Sequence, residues 1–350
     1  MCHYKVTIGI PIYNAEHYVR RALDSALFQT YKNIELLVCD DASTDSSITI
    51  VEEYQRAHPR GKSIRLVRQV QNLGIGIARN RILEEAKGKY LFYLDSDDEI
   101  FPDTIERLYN EAEKNNAELI YGSHVRIEEW RKDGKQFLFL YPYKRFILHD
   151  EFANFVYHKY DSIQVPVWNV LMQIEFLKKI DLHFPPVNFW EDFAATMLLP
   201  TQSKTVGLLS DITYKYHCRY DSLSHFQKRN NIPKQEIQSI IEAMSSLKKS
   251  CLEMKHKTYF SAMYRKVMMT HFYITCSILR HKNIINPAFT NREIRDIMSS
   301  PLSFCEVLAF HNSRWANLLL YIIGILPLSI AILFLKVLAY SRELIKTYRG

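Results

Sequence analysis

The feature that most restricts this chain is the rhythm of its first 127 residues, where short runs rich in β-branched and aromatic residues alternate with amphipathic stretches of helical period. Such alternation builds a parallel sheet with helices on its faces. The runs predict strands over 6–12, 34–40, 64–69, 90–95 and 118–126, and helices over 15–27, 46–57, 76–86 and 102–115 between them. In sheets of this kind ligands gather at the carboxyl ends of the strands, so the residues just after each strand carry the functional argument. Beyond 137 the order loosens. A strand is expected over 137–141, helices over 150–159 and 169–180, a helix opening at Glu191-Asp192, and a strand over 205–217. From 233 to about 281 the pattern is that of two helices, followed by a shorter one over 292–299. With 47% hydrophobic and 24% charged residues and only 10 glycines, the 350 residues read as continuous folded structure without linkers or repeats.

Four strand ends and one later segment stand out. Strand one ends in Pro11-Ile12-Tyr13-Asn14 and strand two in Asp40-Asp41-Ala42-Ser43. Adjacent parallel strands bring the Tyr13 ring beside the Asp41 carboxylate, a pairing that suits a uracil-like base, although Asp41 and Ser43 also read as helix caps. The turn from Asn72 through Gly74 and Gly76 opens a helix with Arg79 in its first turns, and Arg79 suits either a phosphate or a carboxylate. The apolar strand 90–94 empties into Asp95-Ser96-Asp97-Asp98-Glu99. Clustered carboxylates at the end of a buried strand are unfavourable unless a cation neutralises them, and strand alternation would point Asp95 and Asp97 the same way. A hard divalent ion held by one or two carboxylates plus diphosphate oxygens satisfies that pattern. An acidic helix start explains Asp98 and Glu99 but not the whole run. Finally, Trp190-Glu191-Asp192-Phe193 sets two acids among aromatics, where partial burial would raise a carboxyl toward the range of a general base; capping is the competing reading.

Taken together and in order, these segments resemble the family 2 inverting glycosyltransferases with the GT-A fold, over residues 5 to 225 and most closely over 6–108. The resemblance implies an α/β fold with a Rossmann-like mixed sheet flanked by helices, a nucleotide-diphosphosugar donor, and Mg²⁺ or Mn²⁺ as cofactor. On it, Pro11, Tyr13, Asp41, Arg79, Asp95 and Ser96 form the donor site, with Tyr13 and Asp41 on the base and Arg79 facing the uridine or diphosphate. Asp97 ligates the metal, and Asp95 reaches the ribose or the metal's water. Asp192 is similar to the family's catalytic base, with Glu191 and Trp190 on the acceptor side. The stretch Tyr216-His217-Cys218-Arg219-Tyr220-Asp221-Ser222 matches a Tyr-x-x-Arg-x-x-Ser pattern common in the family, with His217 where an arginine is frequent; its role stays open, a third metal ligand included. Val170 stands where a lysine is frequent, which puts nearby acceptor or diphosphate contacts in question. Two other readings are a sugar nucleotidyltransferase, which would need a glycine-rich basic loop after strand one, and a non-catalytic scaffold of a polysaccharide-synthesis complex, against which the intact acids argue.

The rest of the chain suggests a location. Its six cysteines are scattered, without the spacing of zinc ligands or a redox pair, and read as reduced thiols. The apolar run 6–12 is too short for a signal-peptide core, so the catalytic part is expected in the cytoplasm. Residues 315–335 carry no charge, and their apolar core, 318–335, holds 18 residues, at the lower limit for crossing a bilayer core about 30 Å thick. Gly324 and Pro327 near its middle favour a bent or re-entrant segment. The net charge is +7, and of it +4 falls in the last 40 residues, flanking the apolar run in a way that suits anionic headgroups better than nucleic acid. The expected division is therefore a catalytic domain over 1–225, a helical region over 226–312, and a membrane-associating segment over 313–350. The chain would work at the cytoplasmic face of the cell membrane on a saccharide or lipid-linked saccharide acceptor.

Overall fold

The structure, a computed structural model, describes residues 4–131, 133–159, 167–219 and 229–347. It divides into two compact units, one of Met1–Ala153 with Ile163–Ser224 and one of Asn154–Ser162 with His225–Gly350.

The first unit is built on ten strands: β1 (Val6–Ile12), β2 (Ile34–Asp40), β3 (Ile64–Arg68), β4 (Tyr90–Tyr93), β5 (Glu99–Ile100), β6 (Leu119–Glu128), β7 (Gln136–Phe139), β8 (Lys144–Phe146), β9 (Val170–Gln173) and β10 (Val206–Cys218). They lie in one sheet in the order β3-β2-β1-β4-β9-β6-β10-β5, with β7 on β6 and β8 on β10. The helices are α1 (Val19–Leu27), α2 (Ser47–Ala57), α3 (Ile75–Glu85), α4 (Thr104–Asn115), α5 (Glu151–Asn154), α6 (Ile174–Lys179), α7 (Glu191–Thr196) and α8 (Leu199–Gln202). Both faces of β1 are covered, which is why every residue of it is buried. Ile8, Ile10 and Ile12 share a core with Val19, Leu23 and Leu27 of α1, Ile50 and Val51 of α2, and Ile105 and Leu108 of α4. On the opposite face Gly9 lets α3 approach so closely that a Cβ there would lie 2.3 Å from Ile82.

Two expectations need correction, and the bend expected in the uncharged run is seen. Residues 170–173 are not helical: Val170-Leu171-Met172 is a strand, antiparallel between β4 and β6, and only 174–179 form a helix. A short apolar run buried on both faces carries no periodic signal that separates strand from helix. The strand before the acidic run stops at Tyr93, and the Asp98 N–H closes a turn on the Asp95 carbonyl at 3.1 Å, so Asp95 and Asp97 are placed by a turn and not by strand alternation. The uncharged run 315–335 is bent near its middle, as Gly324 and Pro327 suggest. It forms α13 (Arg314–Ile325) and the start of α14 (Leu328–Thr347), broken at Leu326-Pro327 where proline removes a backbone donor.

The second unit also holds β11 (Ile232–Pro233), β12 (Ile285–Asn286), α9 (Lys234–Ser250), α10 (Phe260–Arg280), α11 (Asn291–Ile297) and α12 (Phe304–Leu308). In it α13 and α14 bury Leu320, Ile323, Ala331, Ile332 and Leu335. Among the described residues no helix is long and apolar enough to cross a membrane. No disulfide joins the described cysteines.

Candidate active site

The ends of β1, β2 and β4 and the starts of α3 and α7 meet at one edge of the first unit. Tyr13 follows β1 and is 50% exposed, with its ring available for stacking. Beside it Asn14 takes a left-handed backbone, and its amide bonds the Ser43 hydroxyl at 3.0 Å. Asp41 is buried and accepts from the Leu73 and Gly74 amides, both at 2.8 Å, and from Gln69 at 2.5 Å. Burial raises its pKa against those hydrogen bonds. Asp41 therefore caps no helix; it fastens the glycine turn that leads into α3. Gly74 is needed there, since its φ is +91° and a Cβ would lie 2.3 Å from Asn188 Oδ1.

Arg79 is the centre of the site. Expected to face the uridine or the diphosphate, with a carboxylate as the competing reading, it is 2% exposed and directs both Nη groups to carboxylates, Nη2 to Asp95 at 3.0 Å and Nη1 to Glu191. Its Nε is buried without a hydrogen bond, and the guanidinium lies over the Phe184 ring. Burial opposes the Arg79 charge, but Asp95, Glu191 and Asp192 outweigh it and raise its pKa. Burial also raises the Asp95 carboxyl, against the pull of Arg79 and with the push of Asp97. Glu191, buried at the start of α7 with Asp192 beside it, is raised to about 7 in spite of Arg79. The raised carboxyl in the aromatic segment is thus that of Glu191. Asp192 is half-buried, and its Oδ1 accepts from the Phe193 amide at 2.7 Å.

Across the turn, Asp97 accepts from Arg219 Nε at 2.9 Å and Nη2 at 2.6 Å, and the Arg219 guanidinium lies 3.9 Å from the centre of the Tyr18 ring. Arg21 donates to the Asp97 carbonyl. Ser96 is half-buried between the two acids. Asp98 is fully buried and structural: it accepts from the Tyr214 hydroxyl at 2.8 Å and the His217 amide at 2.7 Å. The His217 ring sits between Glu99, 3.0 Å from Nε2, and Glu129, 3.1 Å from Nδ1, so it faces carboxylates on both sides and not Asp95 or Asp97. Val170 lies buried within β9, while Trp168 before it stacks on Tyr214 and Tyr216. Tyr220, Asp221 and Ser222 lie outside the described residues. The pairings that sequence reasoning missed are those of Arg79 with Glu191 and of Arg219 with Asp97; the arginine of the Tyr-x-x-Arg pattern was the available signal for the second.

The donor set fits a magnesium- or manganese-type ion. Four carboxyls, Asp95, Asp97, Glu191 and Asp192, surround two guanidiniums, Arg79 and Arg219, an excess of two negative charges when all are ionised. Among the described residues Asp95 Oδ2 and Asp97 Oδ1 accept no hydrogen bond, which leaves one oxygen on each for a cation. Among the described residues no three His, Cys, Asp or Glu side chains are arranged to hold an ion by themselves. An ion here would draw the rest of its shell from phosphate and water.

Residues 7–162 match the family described as Glycosyl transferase family 2. The chain is 30% identical over 233 residues to glycosyltransferase GlyA of Streptococcus pneumoniae serotype 4, covering 63% of this chain and 31% of that one. To the poly(ribitol-phosphate) beta-glucosyltransferase of Bacillus spizizenii it is 27% identical over 292 residues, 83% of this chain and 43% of the relative. It thus spans less than half the length of these curated relatives. Among solved structures, S. aureus TarS 1–349 in complex with UDP-GlcNAc superposes with a TM-score of 0.63 at 18% identity, covering 91% of this chain and 90% of that one. The mannosyltransferase PcManGT from Pyrobaculum calidifontis, in complex with GDP-Man and Mn²⁺, superposes with a TM-score of 0.52 at 16% identity, covering 95% and 88%. At such identities the likeness is one of fold.

Proposed function

This chain carries a family 2 glycosyltransferase domain of the GT-A fold, and from that premise we propose that it moves a sugar from a UDP-linked donor to an acceptor hydroxyl with inversion at the anomeric carbon. The observation that carries the reading is the convergence of Asp95, of the acidic turn, and Glu191, next to Asp192, on the single buried guanidinium of Arg79. That bridge couples the group facing the donor phosphates to the group facing the acceptor.

Tyr13, exposed beside the Asp41-fastened turn, stacks on the base. Asp97 and Asp95 offer their open oxygens to the divalent ion, which when bound neutralises the charge developing on the departing diphosphate. Arg219, paired with Asp97, would share in holding that charge. Asp192 takes the proton from the acceptor hydroxyl as that oxygen attacks. Glu191 stays in the bridge with Arg79 and orients α7, and Trp190 lines the acceptor side. The acceptor is a saccharide, free or lipid-linked, of a bacterial surface polysaccharide; the likeness to a poly(ribitol-phosphate) beta-glucosyltransferase supports a bacterial polymer as acceptor without naming its chemistry for this chain.

The test is release of nucleoside diphosphate and transfer to saccharide acceptors across a panel of nucleotide sugars with Mn²⁺. Asp97→Ala and excess EDTA on the unaltered protein should each abolish turnover, with the donor still bound more weakly. Full transfer in EDTA would remove the metal from the reading. Formation of nucleotide sugar from sugar phosphate and nucleoside triphosphate would replace transfer with nucleotidyl chemistry.

A further inference from the structure

In the second unit, α14 carries two apolar stripes. One, formed by Ala331, Ile332, Leu335 and Ala339, is buried. The other, formed by Ile330, Leu333, Phe334 and Val337, has the i, i+3, i+4, i+7 spacing of a single helix face and lies at the surface, with Leu333 64% and Val337 58% exposed. α13 repeats the division: Leu320 and Ile323 are buried, whereas Leu319 is exposed and Trp315, at its first turn, is 74% exposed. Helices apolar on all sides are ordinarily covered on all sides, and an exposed apolar surface of this extent marks a contact.

The charge pattern identifies what covers it. No acidic or basic residue falls between Trp315 and Leu335; Arg314 and Lys336 bound the run, and beyond it Arg342, Lys346 and Arg349 stand against the single acid Glu343. A face with an apolar centre, cations at its ends and an amphipathic indole at its margin complements a layer that is apolar inside and anionic at its surface. The break at Leu326-Pro327 divides the run between the 12-residue α13 and the start of the 20-residue α14, each burying an inner stripe, so the outer stripe is arranged to lie on a layer and not to pass through it.

We propose that the outward face of α13 and α14 docks this chain on an anionic phospholipid surface, with Leu319, Ile330, Leu333 and Val337 in the acyl boundary and Trp315, Arg314 and Lys336 at headgroup level. The docking is independent of the transfer reaction, since it uses none of the residues placed in the active site.

The full chain is mixed with phosphatidylcholine vesicles, with or without phosphatidylglycerol, and floated on a density gradient at low and high salt. The protein should float with the anionic vesicles at low salt, and the double variant Leu333→Glu/Val337→Glu should lose roughly tenfold or more of that binding. The variant should keep its unfolding midpoint and its affinity for UDP, which separates loss of docking from loss of the active site or of the fold. As a readout that needs no surface variant, brominated lipid should quench the unaltered protein's fluorescence, and Trp315→Phe should remove the quenching, leaving the other three tryptophans unaffected. Failure to float with anionic vesicles, or flotation unchanged in the double variant, overturns the proposal. Self-association that the double variant dissolves, without flotation of the unaltered chain, assigns the face to a second copy and overturns it equally.

Discussion

Arg79 shows how one side chain sets the terms for its neighbours. With both Nη groups on carboxylates, removing the guanidinium leaves the buried Glu191 and the half-buried Asp95 without compensation. Breaking such a pair from one side costs about 3–5 kcal/mol. Arg79→Met is therefore expected to lower the unfolding midpoint strongly, whereas Arg79→Lys, which keeps the charge but cannot span two carboxylates, should fold and lose turnover. Calorimetry alongside kinetics checks both. At Asp192, the proposed base, asparagine keeps the shape and removes the carboxylate, so Asp192→Asn should slow the chemical step by at least about 100-fold. UDP-sugar affinity measured by titration calorimetry should be unchanged; a parallel fall would make Asp192 a donor-site residue. Asp95 and Asp97 were legible in the sequence because they cluster where a buried strand ends, and Glu191 and Asp192 because they stand together among aromatics at a helix start. Their arginine partners were not, because a pairing between residues 79 and 191, or 97 and 219, leaves no periodic trace along the chain.

At the scale of elements, α3 positions the two acids that open α7. One face of it meets the segment before α7 at three further points: Gly74 packs against Asn188, Gly76 lies so near the Pro185 carbonyl that a Cβ would come within 2.2 Å, and Asn80 bonds both the amide and the carbonyl of Phe184 at 2.8 Å. Asn80→Ala leaves two buried backbone groups without partners, at a cost of about 1–3 kcal/mol for each. It should lower the unfolding midpoint and reduce kcat more than donor affinity, since α7 loosens while the acidic turn stays in place; a loss confined to donor KM would contradict this role. The elements up to β4 and α4 were readable because each run has a clear period and turn residues at its ends. β9 was not, since Val170-Leu171-Met172 suits a strand or a helix equally and only its neighbours, β4 and β6, decide. The break in the uncharged run was readable from Pro327, but the division of α14 into a buried and an exposed stripe was not, because both are apolar.

At the scale of the whole molecule, the two units respond to acid through different groups. In the second, His271 is fully buried, its Nδ1 bonded to the Val267 carbonyl at 2.9 Å and its Nε2 without a partner. Burial lowers its pKa to about 4 from an ordinary 6.5, with help from the nearby Lys248. A histidine whose folded pKa is depressed binds fewer protons when folded than when unfolded, so the second unit should lose stability as pH falls from about 6.5 to about 4. Glu191 acts oppositely in the first unit: a carboxyl raised to about 7 from 4.5 binds more protons when folded, so its contribution falls as pH rises over that interval. Unfolding midpoints across pH, read for each unit separately, should show that His271→Leu flattens the acid side of the second unit and leaves the first unchanged; an unaltered slope would mean that other groups control it.

The place of β9 and β10 in the sheet has a consequence for the order in which this chain can assemble. β4 finds its outer neighbour only in residues 170–173, and β6 finds its parallel partner only in residues 206–218, yet the family-matched segment ends at 162. While the chain emerges from the ribosome, the apolar strand 90–93 has an open edge until its antiparallel partner β9 arrives, and pairings of such long range, the parallel one of β6 with β10 included, close slowly. A nascent chain stalled between β4 and β9, or a fragment cut at 162, should therefore bind chaperones and aggregate, because it presents a finished half-sheet with nothing to seal its growing edge.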